Sequence, residues 1–505
     1  MDKTRGIKNI VFGLFSQILT IGLGVIIPRL VLVNLGSEAN GLLSAIGSVL
    51  TYMSLLEAGV GMATIQALYK PIAEQDRESV SAVMSATHYF YRRTGYIYLT
   101  LVLLIAVGFT GLIDTTIPRT HVFLVVLMSG LSGVLSYFFQ GKFRLLLAAE
   151  GKTYVVTNIT TITSVGVSIL KAVVLFSGGN VVEVQSVYFF FNLVQLAFFM
   201  LYMKRHYGWV QYNAKPDFEA IAQKNAVLVH QITGLIFNNT DVLVLTVFTS
   251  LKSVSVYSMY AMIYGMVKAV TVNLSDGFIY ALGQTFHDRQ RFIKLFDVYE
   301  VYKMAVTTAV FCITRILMLP FLALYTKGVT DINYIDPYIN WLFAAFYLLH
   351  NGRQSSGNLI DIAQRFENTK WRSVLEAVIN ITVSVALTYR LGIYGVLMGT
   401  IAALLYRTND MIIYAAGILG RSPWITYRRW IVNLGLFALV SYIASCIHLG
   451  TDNYIRMFVL GIVLCLTVIP LFVVVNSLFE TETARHAFNI VKSVFHTRFH
   501  KSREA

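Results

Sequence analysis

The sequence predicts an all-α protein that crosses a membrane many times. Three observations carry this reading. Of 505 residues, 56% are hydrophobic and only 13% are charged, with a mean hydropathy of +0.64. A soluble domain carries about 25% charged residues, so this chain lacks the polar surface to cover a globule. The same apolar content excludes a disordered chain. The apolar residues also fall into long runs, each close to the roughly 20 residues that a helical span needs. Finally, Lys and Arg concentrate on alternate segments between those runs, the bias that marks cytoplasmic loops.

Taken in order, the runs lie at 9–33, 41–68, 88–113, 118–140, 154–177, 184–203, 225–249, 254–281, 298–324, 337–360, 374–391, 394–418, 430–448 and 455–477. That predicts fourteen transmembrane helices. Lys3, Arg5 and Lys8 precede the first run, which is too long for the core of a cleaved signal peptide. With the N-terminus inside, the outer segments hold only Arg119, Lys252, Lys327, Arg390 and Arg456. The net charge of +14 is therefore mostly a topology signal, with no call for nucleic acid. Both termini are expected in the cytoplasm, since the span number is even. The longest polar stretch, 204–224, is too short for a separate soluble domain. Residues 484–499 place Ala484, Phe488, Val491, Phe495 and Phe499 close to one helical face, with Arg485 and Lys492 elsewhere. This reads as a basic amphipathic helix on the inner leaflet. Cys312, Cys446 and Cys465 form no CxxC pair and no Cys/His cluster, so neither a structural disulfide nor a metal site is expected.

A weak internal repeat divides the chain. Ser16-Gln17-Ile18 aligns with His230-Gln231-Ile232, and LLLAAEGKTYVVTN after the fourth run resembles LIDIAQRFENTKWRS after the tenth. The expected organisation is an N-terminal lobe at 1–203, a linker at 204–224, a C-terminal lobe at 225–418, two extra spans within 419–480 and a tail at 481–505. Parallel repeats of this kind are a transporter design.

Ionisable residues inside the runs carry the chemistry. Each is costly at mid-bilayer, so such residues face a bundle interior or a watery cavity. The basic set is Arg29, Lys171, Lys268, Arg315, Arg353 and Arg407, of which Lys171 is within reach of the outer interface, and the deeper acids are Glu57 and Asp241. Lys268, Arg353 and Arg407 lie too far from either predicted end to snorkel easily. Arg407 has a second reading, a local bridge to Asp410 at i+3. Glu57 reads as a neutraliser of a cavity arginine or as a proton or cation carrier, and Asp241 as a hydrogen-bonding or charge-balancing group. No phosphate loop, GxSxG or HExxH is present, so no ATP hydrolysis, enzyme activity or cofactor is expected.

IPRLVLVNLGSEANGLLSAIGS, LLEAGVGMATIQALY, NNTDVLVLTVFTSLKSVSVYS and RLGIYGVLMGTIAALLYR together resemble the polysaccharide (Wzx-type) flippases of the multidrug/oligosaccharidyl-lipid/polysaccharide (MOP) exporter superfamily. The resemblance runs over essentially the whole chain. It implies two six-helix lobes in a V around a central cavity, plus two C-terminal helices. It also implies a bacterial plasma membrane, and a lipid-linked oligosaccharide on an undecaprenyl diphosphate carrier as substrate. Polysaccharide polymerases and glycosyltransferases are the implied partners. A cationic cavity suits such a substrate, because arginine binds phosphate oxygens through paired, charge-assisted hydrogen bonds. The alternatives are a multidrug or cation antiporter of the same superfamily, a peptidoglycan-precursor flippase, and a membrane glycosyltransferase or polymerase, which the short outer loops disfavour. Reporter fusions at Ala505 and within 331–336 are expected to report opposite sides of the membrane; the same side for both contradicts the fourteen-span topology.

Overall fold

The structure is a computed structural model, and it describes residues 3–57, 59–222, 234, 239–273, 276–447 and 453–501. Among the described residues all regular structure is helical. The helices are α1 Lys3–Met53, α2 Val60–Ala73, α3 Arg77–Leu112, α4 Arg119–Leu135, α5 Gly141–Ala149, α6 Thr153–Phe176, α7 Val181–His206, α8 Asn239–Phe248 and α9 Leu251–Asn273. They continue as α10 Asp276–Thr285, α11 Arg289–Tyr325, α12 Pro337–Gly352, α13 Gln354–Ile362, α14 Phe366–Leu391, α15 Ile393–Leu419, α16 Trp424–Cys446, α17 Tyr454–Phe479 and α18 Thr481–Lys501. Ten of the helical segments described are long and apolar enough to cross a membrane. Their outer faces require lipid: Ile10, Leu14 and Ile18 on α1, and Ile455, Phe458 and Leu466 on α17, are all more than half exposed.

The described count is lower than fourteen because the first two runs share one helical segment, other runs are broken and some residues lie outside the described set. Gly36, at φ 82°, kinks α1 between the first two runs. The second run then breaks again, at a 3-10 turn over Ser54–Glu57 and at Gly59 (φ 86°), leaving α2 at 14 residues. The tenth run divides into α12 and the nine-residue α13. Much of the seventh run, including His230, Gln231 and Ile232, lies outside the described residues. The tail is helical as expected over α18, and Phe488 is exposed. The side chains of Val491, Phe495 and Phe499 fall outside the described set.

Packing divides the chain into two units: Met1–Ser258 with Gly328–Ile332, and Met259–Lys327 with Asn333–Ala505. In the first, glycines let α3 and α4 approach closely. A Cβ at Gly133 would stand 2.2 Å from the Tyr98 hydroxyl, and one at Gly130 would stand 2.4 Å from Val102. The segment after α7 docks on α3, where Ser85 donates to the carbonyls of Tyr212 and Ala214 at 3.0 and 2.7 Å. Beneath it Lys142, 6% exposed, lies 2.9 Å from His88 Nδ1 and 4.6 Å from the centre of the Tyr212 ring.

In the second unit α9 and α12 stack Tyr260, Tyr264, Phe343 and Tyr347. The tyrosine tips are satisfied: Tyr260 donates to the Tyr334 carbonyl at 2.9 Å and Tyr264 to Asn340 Oδ1 at 2.8 Å. A buried ion network ties α11 to α16 and the base of α18. Glu300 accepts from Arg429 and, at 2.9 Å, from Arg421; Arg429 also meets Asp297 at 2.8 Å and Glu480 at 3.3 Å. Burial alone would raise Glu480, yet hydrogen bonds and charge from Arg429 and then Arg428 hold its carboxyl below the usual range.

Removing one partner from such a network strands the other charges in a poorly solvated place. Arg429→Met is expected to destabilise by about 3–5 kcal/mol in thermal unfolding of the purified protein. Because the Glu480 value is lowered, its contribution is present above the ordinary glutamate range and fades as pH falls through the lowered value. Glu480→Gln should therefore narrow its stability gap from the parent on acidification.

Candidate functional site

The two units repeat one plan internally. α3 and α11 start at Arg77 and Arg289, each capped by an aspartate, Asp76 and Asp288. α5 and α13 are both nine residues long and start 213 residues apart, at Gly141 and Gln354. Each ends in the same turn with a left-handed residue, Gly151 or Gln364. In the first turn the amides of Glu150, Gly151 and Lys152 bond back to Leu146, Ala148 and Leu147. In the second, those of Ala363, Gln364 and Arg365 bond back to Leu359, Asp361 and Ile360, in the same order of reach. This turn is the one whose sequences look alike.

A break precedes each nine-residue helix, and a side-chain triad sits there. In the first unit the break is a π turn over Ser136–Gln140, and the triad is neutral. Thr163 on α6 donates to Gln195 Oε1 at 2.9 Å, and Gln195 on α7 donates to Gln140 Oε1 at 2.7 Å. The second unit places Glu376, Arg407 and Arg353 at the matching positions of α14, α15 and the α12–α13 break. Here the triad is ionic. Arg353 Nη1 donates to Glu376 Oε1 at 2.6 Å, and Arg407 Nε lies 3.6 Å from Glu376 Oε2. Arg407 also donates to Asp410 at 2.5 Å and to Ser373 Oγ at 3.1 Å, and Arg372 shares Asp410 at 2.5 Å. Arg407 is 2% and Glu376 5% exposed. Lys268 on α9 lies within electrostatic reach of Arg353, and His350 within reach of both.

The predicted site residues are thus placed unequally. Lys268, Arg353 and Arg407 come together in the second unit. Arg315 stands apart, its guanidinium 3.5 Å from the centre of the Trp341 ring. Arg29 sits half-buried in α1, directly after Pro28. The two deeper acids, Glu57 and Asp241, each accept a hydrogen bond from a tyrosine: Tyr91 donates to Glu57, and Tyr257 donates to Asp241 at 2.8 Å. The carboxylates that meet the arginines are Glu376 and Asp410, and the i+3 bridge from Arg407 to Asp410 is present. Glu376 was missed because it lies at the edge of its apolar run. The repeat could have found it, since Glu376 matches Thr163 at the spacing of the two turns. Arg144 was missed because the fourth run stops at 140, while the helix continues through the π turn into α5.

Among the described residues no group of His, Cys, Asp and Glu could hold a metal ion. No family model matches the sequence, and no curated protein does either. Solved structures do match. The lipid II flippase MurJ in an inward closed conformation superposes with a TM-score of 0.69 at 14% identity, over 94% of this chain and 99% of that one. The chain shares its fold with this structure. An inward-facing multidrug resistance MATE family transporter of the MOP superfamily gives 0.61 at 13% identity, over 80% and 96%. The MATE multidrug transporter DinF-BH, in complex with R6G, gives 0.58 at 12%, over 84% and 97%. These neighbours are transporters and a flippase, and none is an enzyme.

Glu376 holds two arginines, so its loss strands both in a nearly water-free place. Glu376→Ala is expected to lower stability by about 3–5 kcal/mol, while Glu376→Gln, which keeps an acceptor, should cost less. Thermal unfolding of both variants measures the difference.

Proposed function

We propose that this MOP-fold membrane protein is a flippase, carrying a lipid-linked oligosaccharide on an undecaprenyl diphosphate from the inner to the outer leaflet for capsule, exopolysaccharide or related polysaccharide synthesis. The observation that carries this is the exchange of a neutral triad for an ionic one at equivalent breaks. Gln140, Gln195 and Thr163 satisfy the polar needs of the break in the first unit without charge. Packing alone therefore does not require Arg353, Arg407 and Glu376 in the second. Buried charges are costly, and arginines retained at such cost suit an anionic ligand, here the diphosphate. The planar fork of arginine matches two phosphate oxygens, so lysine is not its equivalent.

In this reading Lys268, Arg353 and Arg407 receive the diphosphate, Arg29 and Arg315 act along its route, and Glu57 and Asp241 balance charge or couple a proton. The lobes are residues 1–203 and 225–418 in parallel orientation, joined by 204–224. They flank a central cavity through which alternating access moves the headgroup. The additional spans lie within 419–480. Both termini face the cytoplasm of a bacterial cell, where glycosyltransferases supply the substrate and a polymerase consumes it outside. A membrane potential, negative inside, favours outward movement of the diphosphate by about 2.3 kcal/mol per charge per 100 mV, so ATP is not required. The MATE neighbours support a second reading, multidrug or cation antiport by the same fold, and the MurJ neighbour supports a peptidoglycan-precursor substrate.

The triple variant R353Q/E376T/R407Q gives the second unit the first unit's neutral triad. It is expected to fold, with a melting temperature within a few degrees of the parent. Flipping of a lipid-linked oligosaccharide in vesicles should be abolished. Arg407→Lys alone should retain part of the activity. Normal flipping by the triple variant contradicts the diphosphate role, and transport of organic cations with no flipping supports the antiport reading.

A further inference from the structure

The second unit holds an apolar cleft that the reading above does not use. It lies between α10, α11 and α18 and has a volume of about 490 Å³. Leu295, Val298, Tyr299, Tyr302 and Val306 form its α11 wall. At about 3.6 residues per turn these five fall on one face of the helix. From Leu295 to Val306 that face rises by about 16 Å, at roughly 1.5 Å per residue. The hydrocarbon of one leaflet is about as deep, half of a core roughly 30 Å thick. Phe278 on α10 and Ala487 and Ile490 on α18 form the facing walls.

The polar groups along the cleft are engaged with the protein. The Tyr302 hydroxyl meets Ser477 Oγ at 3.0 Å. The Tyr299 hydroxyl accepts from Lys303 at 2.9 Å and from Asn358 at 2.6 Å, and Thr271 donates to the Lys268 carbonyl at 2.8 Å. A polar occupant would gain little here, whereas a hydrocarbon one fits. An occupant that is apolar, elongated and matched to one leaflet is an acyl chain.

Charge marks the end of the cleft nearest the start of α11. Arg291 stands four residues before Leu295, on the same face, and Lys294 stands four before Val298. Both are exposed, and neither makes an ion pair among the described residues. Asp288, the nearest acid in sequence, caps α11 by accepting from the Arg291 amide. Arg485 and Lys492 are exposed on α18, on either side of Ala487 and Ile490. A lipid tail gains little by leaving other tails for an apolar wall, so the cleft sets the place and the cations set the preference.

We propose that this cleft binds one acyl chain of an anionic phospholipid of the inner leaflet, with its phosphate at Arg291 and Lys294. The chain fills the space between α11 and α18, so that α18 is held on the second unit in part through lipid. The lipid is a resident of the bilayer and not the transported molecule. The proposal goes beyond the transport reading and does not depend on it.

The test uses the full-length protein in detergent, with phosphatidylglycerol or phosphatidylcholine of identical chains added. Native mass spectrometry counts retained lipid, and thermal unfolding reads its effect. The parent is expected to retain phosphatidylglycerol several-fold over phosphatidylcholine, and to melt several degrees higher with it. R291Q/K294Q should lose most of that preference. K204Q/R205Q, which removes the same charge from α7, should keep it. Ala487→Trp fills the cleft from α18 and should retain several-fold less phosphatidylglycerol, while melting without added lipid no lower than the parent. Ile490→Trp, from the next turn, guards against a packing failure in Ala487→Trp. The proposal is overturned if the parent retains both lipids equally, or if both filled variants keep phosphatidylglycerol as the parent does. It is also overturned if undecaprenyl phosphate, and not phosphatidylglycerol, is the lipid that the filled variants lose, which assigns the cleft to a polyprenyl carrier.

Discussion

A helix that breaks inside a membrane frees backbone and side-chain polar groups where no water can reach them. Most of what is distinctive in this protein follows from that constraint. The chain breaks at Ser54–Glu57, at Ser136–Gln140 and at Arg353, and each break gathers polar side chains from neighbouring helices. Tyr91 reaches the first, Gln195 and Thr163 assemble on the second, and Glu376 and Arg407 assemble on the third. Several polar groups of the apolar spans thus meet where the helices are discontinuous, and discontinuous helices are where transporters of other folds place their ligand sites.

The repeat separates structural from functional demands within one chain. Both units need hydrogen bonds at the break before a nine-residue helix, and neutral amides suffice in the first. The second uses two arginines and a glutamate at matching positions. A buried ionic triad is no more stabilising than a well-made neutral one, because desolvation offsets the Coulomb attraction. In the proposed function the charge serves the anionic ligand, while the pattern of the break is shared by both units. The network of Glu300, Arg421 and Arg429 is a different case, since it joins α11 and α16 to the base of α18 and braces the helices added beyond the repeat.

Much about this protein was determined by its sequence alone. Apolar runs near 20 residues and a low charged fraction exclude a soluble fold, because backbone polar groups in lipid must be satisfied within helices. The likeness of LLLAAEGKTYVVTN to LIDIAQRFENTKWRS corresponds to two turns with the same hydrogen-bond pattern, since turn geometry is written in local residues and each turn closes on its own backbone. Lys268, Arg353 and Arg407 were legible as candidates, since each stands well inside an apolar run. Tertiary structure alone decided who partners whom. Depth is one coordinate, and only the rotation of each helix brings the Tyr91 hydroxyl to Glu57 and the Tyr257 hydroxyl to Asp241. Glu376 lay at the edge of a run and became the shared partner of two arginines only when α14 packed beside α15 and the α12–α13 break. Arg144 read as a loop residue because hydropathy sees where apolar residues stop, whereas the helix continues wherever its backbone bonds are satisfied, and a π turn carried them on into α5.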